Sequence, residues 1–507
     1  MTGMNADSVA ETTNVEKVAD AAAQATSAWA DLSPRVRASS LVTAAAALDE
    51  ASVELVAIAA RETGLTEPRL RGEVKRTAVQ LRLFSEVITD GGYLDVRLDR
   101  SDPEFILGPR PDLRRTLVPL GPVLNFAGSN FPFAFSVVGG DTASALAAGC
   151  AVIVKAHSGH PELSLRTAQI MGAALESAGA PANTLQLIFG QAAGVEMLKN
   201  SHVRAGAFTG SIRAGRLLAD IAAARPSPIP FFGELGSVNP QFVTRAKLIN
   251  DLDAICSGFV TSVSASAGQF CTKPGFLFVS DAHALAQHVR EAAAGVPEHR
   301  MLNPRIAESY RNRRETVLSV DGVTILAEGS LRFDEDGQGW VTPTIVSVPV
   351  ELIRPGDSRL LDESFGPLSV VVEYDDEADL PALSRMLFPG NLTGGVHALE
   401  EESSPELLAL IGALSSSSGR VLFNGWPTGV AVTPAMQHGG PWPATTSDVG
   451  TSVGTAAIGR FLRGVTYQGV PQHLLPEQLR DDNPWQVPQS VAPAGVSANW
   501  GQPHFND

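Results

Sequence analysis

The sequence predicts an α/β protein built on a parallel, doubly wound sheet, with a second α/β domain. Three observations carry this prediction. Short apolar runs alternate with longer amphipathic ones from 121 to 234 and again from about 235 to 430, the strand and helix rhythm of a sheet covered on both faces. The length of 507 residues exceeds what one hydrophobic core uses, so at least two domains are expected. A hydrophobic share of 44% against 18% charged residues is that of a well-buried globular chain, the reverse of a disordered one.

Bulk charge narrows the function classes. A formal net charge of −16 argues against nucleic acid and against an anionic membrane surface as partners. Cys150, Cys256 and Cys271 are too few and too scattered for a disulfide framework, and no Cys/His spacing suggests zinc, so no metal is expected and a reducing compartment is. Residues 1–16 form no basic and apolar leader, and no run approaches the ~20 apolar residues of a membrane span. A cytoplasmic location follows.

Residues 14–92 have helical period: Val15, Val18, Ala22 and Trp29 share one face, Leu41, Ala45 and Leu48 another, and Gly64 closes a helix. They read as plain scaffold with no chemistry. Prolines at 103, 109 and 111 break the next stretch into short pieces, an arm or a surface hairpin. Strands then follow at 121–126, 151–155, 185–189, 205–209 and 229–232, with helices at 133–148, 161–178, 192–199 and 211–224 between them. A doubly wound sheet of this kind binds dinucleotides at the carboxyl ends of its strands, although no G-x-G-x-x-G follows the first strand. Strands at 276–279 and 368–372 belong to a second series, and the proline-rich tail after 470, with Trp485 and Trp500, reads as a docked arm. The expected division is 1–92 with 117–234, 93–116 as the arm, 235–430 as a second domain, and 431–507 returning to the first.

Chemistry concentrates around Ser264-Ala265-Ser266-Ala267-Gly268-Gln269-Phe270-Cys271-Thr272-Lys273-Pro274-Gly275, where a cysteine sits among small residues that leave room for a substrate carbon. A buried structural cysteine is the competing reading. Glu234 ends an apolar strand in Phe231-Phe232-Gly233-Glu234-Leu235-Gly236, surroundings that suit a general base, or else it is a surface glutamate. Asn130, before Phe131-Pro132 at the expected mouth of a helix, is a turn residue or a donor to an oxyanion. Lys155 ends an apolar strand and faces ribose or phosphate, or snorkels to solvent. His157 and His160 form an HxxH in a turn with no third ligand in view, so they read as loop residues rather than a metal site. Phe208-Thr209-Gly210-Ser211 opens a helix whose N-terminus is an anion site for a pyrophosphate.

In order, asparagine 130, lysine 155, FTGS at 208–211, glutamate 234, cysteine 271 and Glu363-Ser364-Phe365-Gly366-Pro367 resemble the aldehyde dehydrogenase superfamily over nearly the whole chain. That resemblance implies a Rossmann-like cofactor domain lacking the usual glycine fingerprint, an α/β catalytic domain and an oligomerisation arm. It implies that Cys271 is the nucleophile, that Asn130 and the cysteine N–H hold the oxyanion, and that Glu234 activates water against a thioester. Lys155, His157, Ser158, Gly210 and Ser211 would bind the dinucleotide, while Glu363 would hold the nicotinamide ribose and Phe365 the ring. Many NAD-preferring relatives carry a glutamate where this chain has Ser158, so NADP is favoured and NAD remains open. Phe131, Phe133, Phe270 and Phe423 are candidates for the aldehyde tunnel.

Further segments, including Arg110-Pro111-Asp112-Leu113-Arg114-Arg115, Gly139-Gly140-Asp141-Thr142-Ala143 and His438-Gly439-Gly440-Pro441, look most like the 2,5-dioxovalerate (α-ketoglutaric semialdehyde) dehydrogenases. The expected reaction is oxidation of that small aldehyde to 2-oxoglutarate by a homodimer or homotetramer. A fatty-aldehyde dehydrogenase using NADP, a coenzyme A-acylating enzyme and a non-catalytic binding protein on the same scaffold are the alternatives.

Overall fold

The computed structural model describes residues 14–501. Four helices come first, Val15–Ala30, Pro34–Glu50, Ser52–Thr63 and Glu67–Asp90. The Asn14 and Ser33 side chains cap the first two by accepting amide hydrogens three residues on, and Gly64 and Gly91 end the last two in left-handed conformation at φ +70° and +75°. Their buried faces place Trp29, Leu41, Leu81 and Phe84 in one cluster with the central helix Gly140–Ala148.

Beside them lies a five-stranded parallel sheet with Val123–Phe126 in the middle. Val152–Lys155 and then Leu185–Ile188 lie to one side, Ala205–Thr209 and then Phe231–Glu234 to the other. The chain reverses its winding direction at the middle strand, so a crevice opens there at the carboxyl ends. Phe126, Lys155, Thr209 and Glu234 are the last residues of their strands and stand along it.

A seven-stranded sheet forms the second α/β body, in the order Thr324–Ala327, Thr344–Pro349, Leu368–Glu373, Phe276–Val279, Gln241–Val243, Asn391–His397 and Ser418–Phe423, parallel except for the first. The strand Phe276–Val279 is buried throughout, the continuous apolar run of a sheet covered on both faces. A small three-stranded sheet adjoins it. A four-stranded sheet joins Leu462–Gln468, Leu113–Pro119, Val96–Asp99 and Gln489–Ala492, so the tail after 470 docks as a strand. Leu475, Leu479 and Val487 hold it against Leu94, Val96 and Leu98.

The helix expected over 133–148 begins only at Gly140. The preceding residues are turns because the Glu73 carboxylate takes the amide hydrogens of Phe133 and Ala134, and because Gly139 approaches Ala134 so closely that a Cβ there would meet its carbonyl oxygen at 2.2 Å. Asn130 therefore lies in a turn-rich loop, ten residues before the helix rather than at its mouth. Among the described residues no helix is long and apolar enough to cross a membrane.

Candidate active site

The helix Arg245–Ser264 delivers the chain to a tight left-handed turn in which Ser266, Ala267 and Gly268 have φ of 51°, 56° and 65°. For the two non-glycine residues this costs about 1–2 kcal/mol each, strain the surroundings hold in place. Gly268 is irreplaceable sterically, since a Cβ would come 2.4 Å from the Gly366 carbonyl carbon. Cys271 emerges from this turn half-buried, its carbonyl accepting from Asn239 Nδ2 at 2.7 Å. Its thiol stands on a cavity of about 230 Å³ with Arg69, Arg76, Phe131, Phe135, Phe270 and His438 on the walls. Burial pushes the other two thiols up, Cys150 to about 11 and Cys256 to about 12, leaving them as inert core groups.

The nearest chemistry to the sulfur is a histidine that the sequence reading quoted without a role. His438 Nε2 lies 3.6 Å from Cys271 Sγ, while its Nδ1 lies 3.2 Å from Glu234 Oε2 and 3.1 Å from Ser452 Oγ. Backbone pairing brings the loop to Glu234: Leu235 N–H donates to Ala444 at 2.8 Å, and Glu234 bridges to Thr445. Gly440 makes the loop fit, since a Cβ there would strike the Asn391 carbonyl oxygen at 2.1 Å. Burial opposes charge on the His438 ring, but its hydrogen bonds to Cys271 and Glu234 prevail and raise its pKa to about 9. An imidazolium beside a sulfur stabilises the thiolate form.

Glu234 is only 3% exposed and does not reach the cavity wall. The apolar setting expected for it gives way to a charged one: Arg460 donates to its Oε1 at 2.7 Å and to Asp141 Oδ1 at 3.1 Å. Burial lifts Asp141 to about 6, with Arg460 opposing. Sulfur, imidazole, carboxylate, guanidinium and carboxylate thus form one buried chain.

Asn130 is buried, and its Nδ2 donates to the Gln269 carbonyl at 3.0 Å, which fixes it beside the cysteine loop with a second amide hydrogen still to give. Two of the four tunnel phenylalanines are corrected. Phe131 and Phe270 line the cavity, stacked at 5.3 Å, but Phe133 is 1% exposed in the helical core and Phe423 is 46% exposed on an edge strand. The turn held by Glu73 points Phe133 inward, and the outermost strand leaves Phe423 uncovered. Phe135, not anticipated, takes the place on the wall.

Along the crevice, Lys155 is half-buried with no ion-pair partner among the described residues, and burial lowers its pKa. Gly210 and Ser211 are exposed at the start of Ile212–Ala223, where the Ser211 hydroxyl caps the helix by accepting from Ala214 N–H at 3.3 Å. Ser158 is exposed. His157 is held neutral, its pKa driven down to about 3 by burial and by the charges of its neighbours, while His160 is spent on Gly128 O at 3.0 Å and Ser164 Oγ at 3.1 Å. Glu363 packs so closely on Gly236 that a Cβ there would meet Oε2 at 2.4 Å, and burial raises its carboxyl to about 7 against the pull of Lys273. Phe365 lies partly buried beside the helical core. A lone ammonium, a solvent-exposed helix N-terminus and a carboxylate suited to two hydroxyls fit a dinucleotide's phosphate and ribose groups.

A comparison with protein families matches residues 5–463 to the model described as "Aldehyde dehydrogenase family". The chain belongs to the aldehyde dehydrogenase family. It is accordingly an oxidoreductase that acts on aldehydes with NAD(P). It is 39% identical over 482 residues to an α-ketoglutaric semialdehyde dehydrogenase of Acinetobacter baylyi, covering 94% of this chain and 90% of that one. It is 40% identical over 499 residues to α-ketoglutaric semialdehyde dehydrogenase 2 of Azospirillum brasilense, covering 95% and 91%. Among solved structures it shares its fold with a 3,6-anhydro-L-galactose dehydrogenase in complex with NAP, at TM-score 0.76, 21% identity and coverage of 90% and 91%. A 1-pyrroline-5-carboxylate dehydrogenase from Thermus with bound NAD has the same fold at TM-score 0.74, 21% identity and coverage of 90% and 85%.

Family membership was legible in the sequence; His438, Arg460 and Asp141 were not, because they lie 167 to 319 residues from the groups they touch. The one signal for the cavity arginines was a charged stripe in the fourth helix, Arg69, Glu73 and Arg76 at i, i+4 and i+7. That helix is therefore more than scaffold.

Proposed function

We propose that the protein oxidises α-ketoglutaric semialdehyde (2,5-dioxovalerate) to 2-oxoglutarate through a thioester on Cys271, with NADP as the preferred cofactor. The substrate rests on the names of the two relatives near 40% identity over most of the chain. The chemistry rests on one observation, the 3.6 Å approach of His438 Nε2 to the Cys271 sulfur with Glu234 behind the ring.

In this reading His438 Nε2 holds the thiol proton while the thiolate attacks the aldehyde carbon. The second amide hydrogen of Asn130 and the Cys271 backbone N–H stabilise the resulting oxyanion, a donor set worth about 2.7–4 kcal/mol per donor. NAD(P), when bound, supplies the hydride acceptor, held by Lys155, Gly210, Ser211 and Glu363. With the sulfur acylated the ring has lost one of the two partners that hold its charge, keeping only Glu234, and releases the Nε2 proton to solvent. The neutral imidazole, oriented by Glu234 and Ser452, then takes a proton from water, which attacks the thioester and frees the acid. Glu234 acts through His438 instead of meeting water itself.

NADP is supported by Ser158, exposed where a carboxylate would repel a 2′-phosphate, and by Arg305, which is exposed and close enough to His157 to help suppress its charge. The four-stranded sheet is the expected contact of a cytoplasmic homodimer or homotetramer. Rapid mixing with 2,5-dioxovalerate tests the reading: wild type gives a burst of reduced cofactor and free 2-oxoglutarate, and Cys271→Ala gives neither while still binding NADP. Ser158→Glu shifts the kcat/KM ratio toward NAD. Equal bursts with and without the thiol defeat the mechanism, and an unchanged ratio defeats the cofactor assignment.

A further inference from the structure

Much of the cavity wall near the thiol comes from one face of one helix. In Glu67–Asp90, residues Arg69, Gly72, Glu73 and Arg76 follow at i, i+3, i+4 and i+7, a single stripe, and all four line the cavity with Cys271. A helix face turned inward is ordinarily apolar; this one carries two guanidiniums and one carboxylate.

Their hydrogen bonds separate their roles. Glu73 is committed to the fold, its Oε1 accepting from Phe133 and Ala134 at 2.8 and 2.9 Å. Arg69 donates to the Asn130 carbonyl, lies 3.8 Å from the Glu73 carboxylate and sits 5.0 Å from the ring centres of both Phe131 and Phe270. Arg76 lies 5.4 Å from the centre of Phe135, and its Nη1 is buried with no hydrogen-bond partner among the described residues. Burial works against the charge of both guanidiniums and of Glu73 alike. Two cations face one carboxylate beside the nucleophile, and among the described residues the only other group whose negative charge would favour Arg76 is the sulfur, which already has His438 as its hydrogen-bond partner. What sets this orphaned donor apart is its side chain's place on the cavity wall with Cys271, where a bound group can take it up.

We propose that Arg76, with Arg69 beside it, is the subsite for a carboxylate at the far end of the substrate, so that the enzyme selects short aldehydes with an anionic terminus. This rests on the reading of Cys271 as the aldehyde-oxidising thiol. A guanidinium fork matches a carboxylate in two parallel hydrogen bonds, and the aromatic rings on either side exclude competing water. A fully apolar aldehyde leaves the same donors unpaired and is disfavoured on that account.

The test compares kcat/KM for 2,5-dioxovalerate and for pentanal, equal in chain length, in wild type, Arg76→Met and Arg76→Lys. Arg76→Met lowers the ratio of the two about 10- to 100-fold, mainly through KM, and Arg76→Lys recovers part of it. A purely structural residue would lower both substrates together, so an unchanged ratio overturns the proposal, as does a wild type that prefers pentanal. A second measurement needs no turnover: 2-oxoglutarate protects Cys271 from iodoacetamide in wild type and loses that protection in Arg76→Met. Absent protection in wild type overturns the subsite. Protection without oxidation of any aldehyde supports the subsite and rejects the oxidation reading instead.

Discussion

Replacing His438 with glutamine removes the ring that stands between thiol and carboxylate, and the geometry sets the size of the effect. Opposite unit charges 3.6 Å apart attract by roughly 4–5 kcal/mol at an effective dielectric near 20. At neutral pH, alkylation of Cys271 by iodoacetamide in His438→Gln is therefore expected to fall about 10-fold or more, the factor that loss of a charged hydrogen-bond partner gives. Thioester hydrolysis should slow by a further 10²- to 10⁴-fold for loss of the base, so that any burst of reduced cofactor is followed by near arrest. Because the folded-state pKa of His438 is raised, to about 9, its charge contributes fully below the ordinary histidine value and is lost as pH rises through about 9. The melting-temperature advantage of wild type over His438→Gln should thus shrink across that interval. Equal alkylation rates in the two proteins at neutral pH would refute the pairing of sulfur and imidazole.

Three further outcomes follow from the same contacts. Glu234→Gln keeps the burst but slows turnover, and it destabilises the fold by about 3–5 kcal/mol in denaturant titration because Arg460 is left buried with one carboxylate fewer. Asn130→Ala lowers kcat/KM about 10²- to 10³-fold for every aldehyde alike, since it removes an oxyanion donor and not a substrate contact. Gly268→Ala, by forcing a Cβ to 2.4 Å from the Gly366 backbone, collapses yield and thermal stability while Gly412→Ala, with nothing within 4 Å, leaves both intact.

The chain order of Asn130, Lys155, Glu234 and Cys271 and the alternation of apolar runs were enough to name the fold and the family. These are local signals: strand ends, helix starts and small residues around a thiol are written in neighbouring positions, and a parallel sheet puts its strand ends on one crevice by construction. What no neighbouring position records is which way a side chain turns. Phe131 and Phe133 are two residues apart, yet only one reaches the cavity, because Glu73 from a separate helix grips the backbone between them and the helix at 140. Arg76 looked like a surface charge on a scaffold helix until the loops carrying Phe135 and Cys271 were packed against it. The partner of the sulfur, 167 residues later in the chain, was chosen by a backbone pairing between Leu235 and Ala444. Sequence by itself determined the fold and the family, since each is carried by pattern along the chain. Tertiary structure alone decided the partner of the sulfur, the charges around it and the walls of the cavity, since those depend on directions in space that only the packing of distant segments fixes.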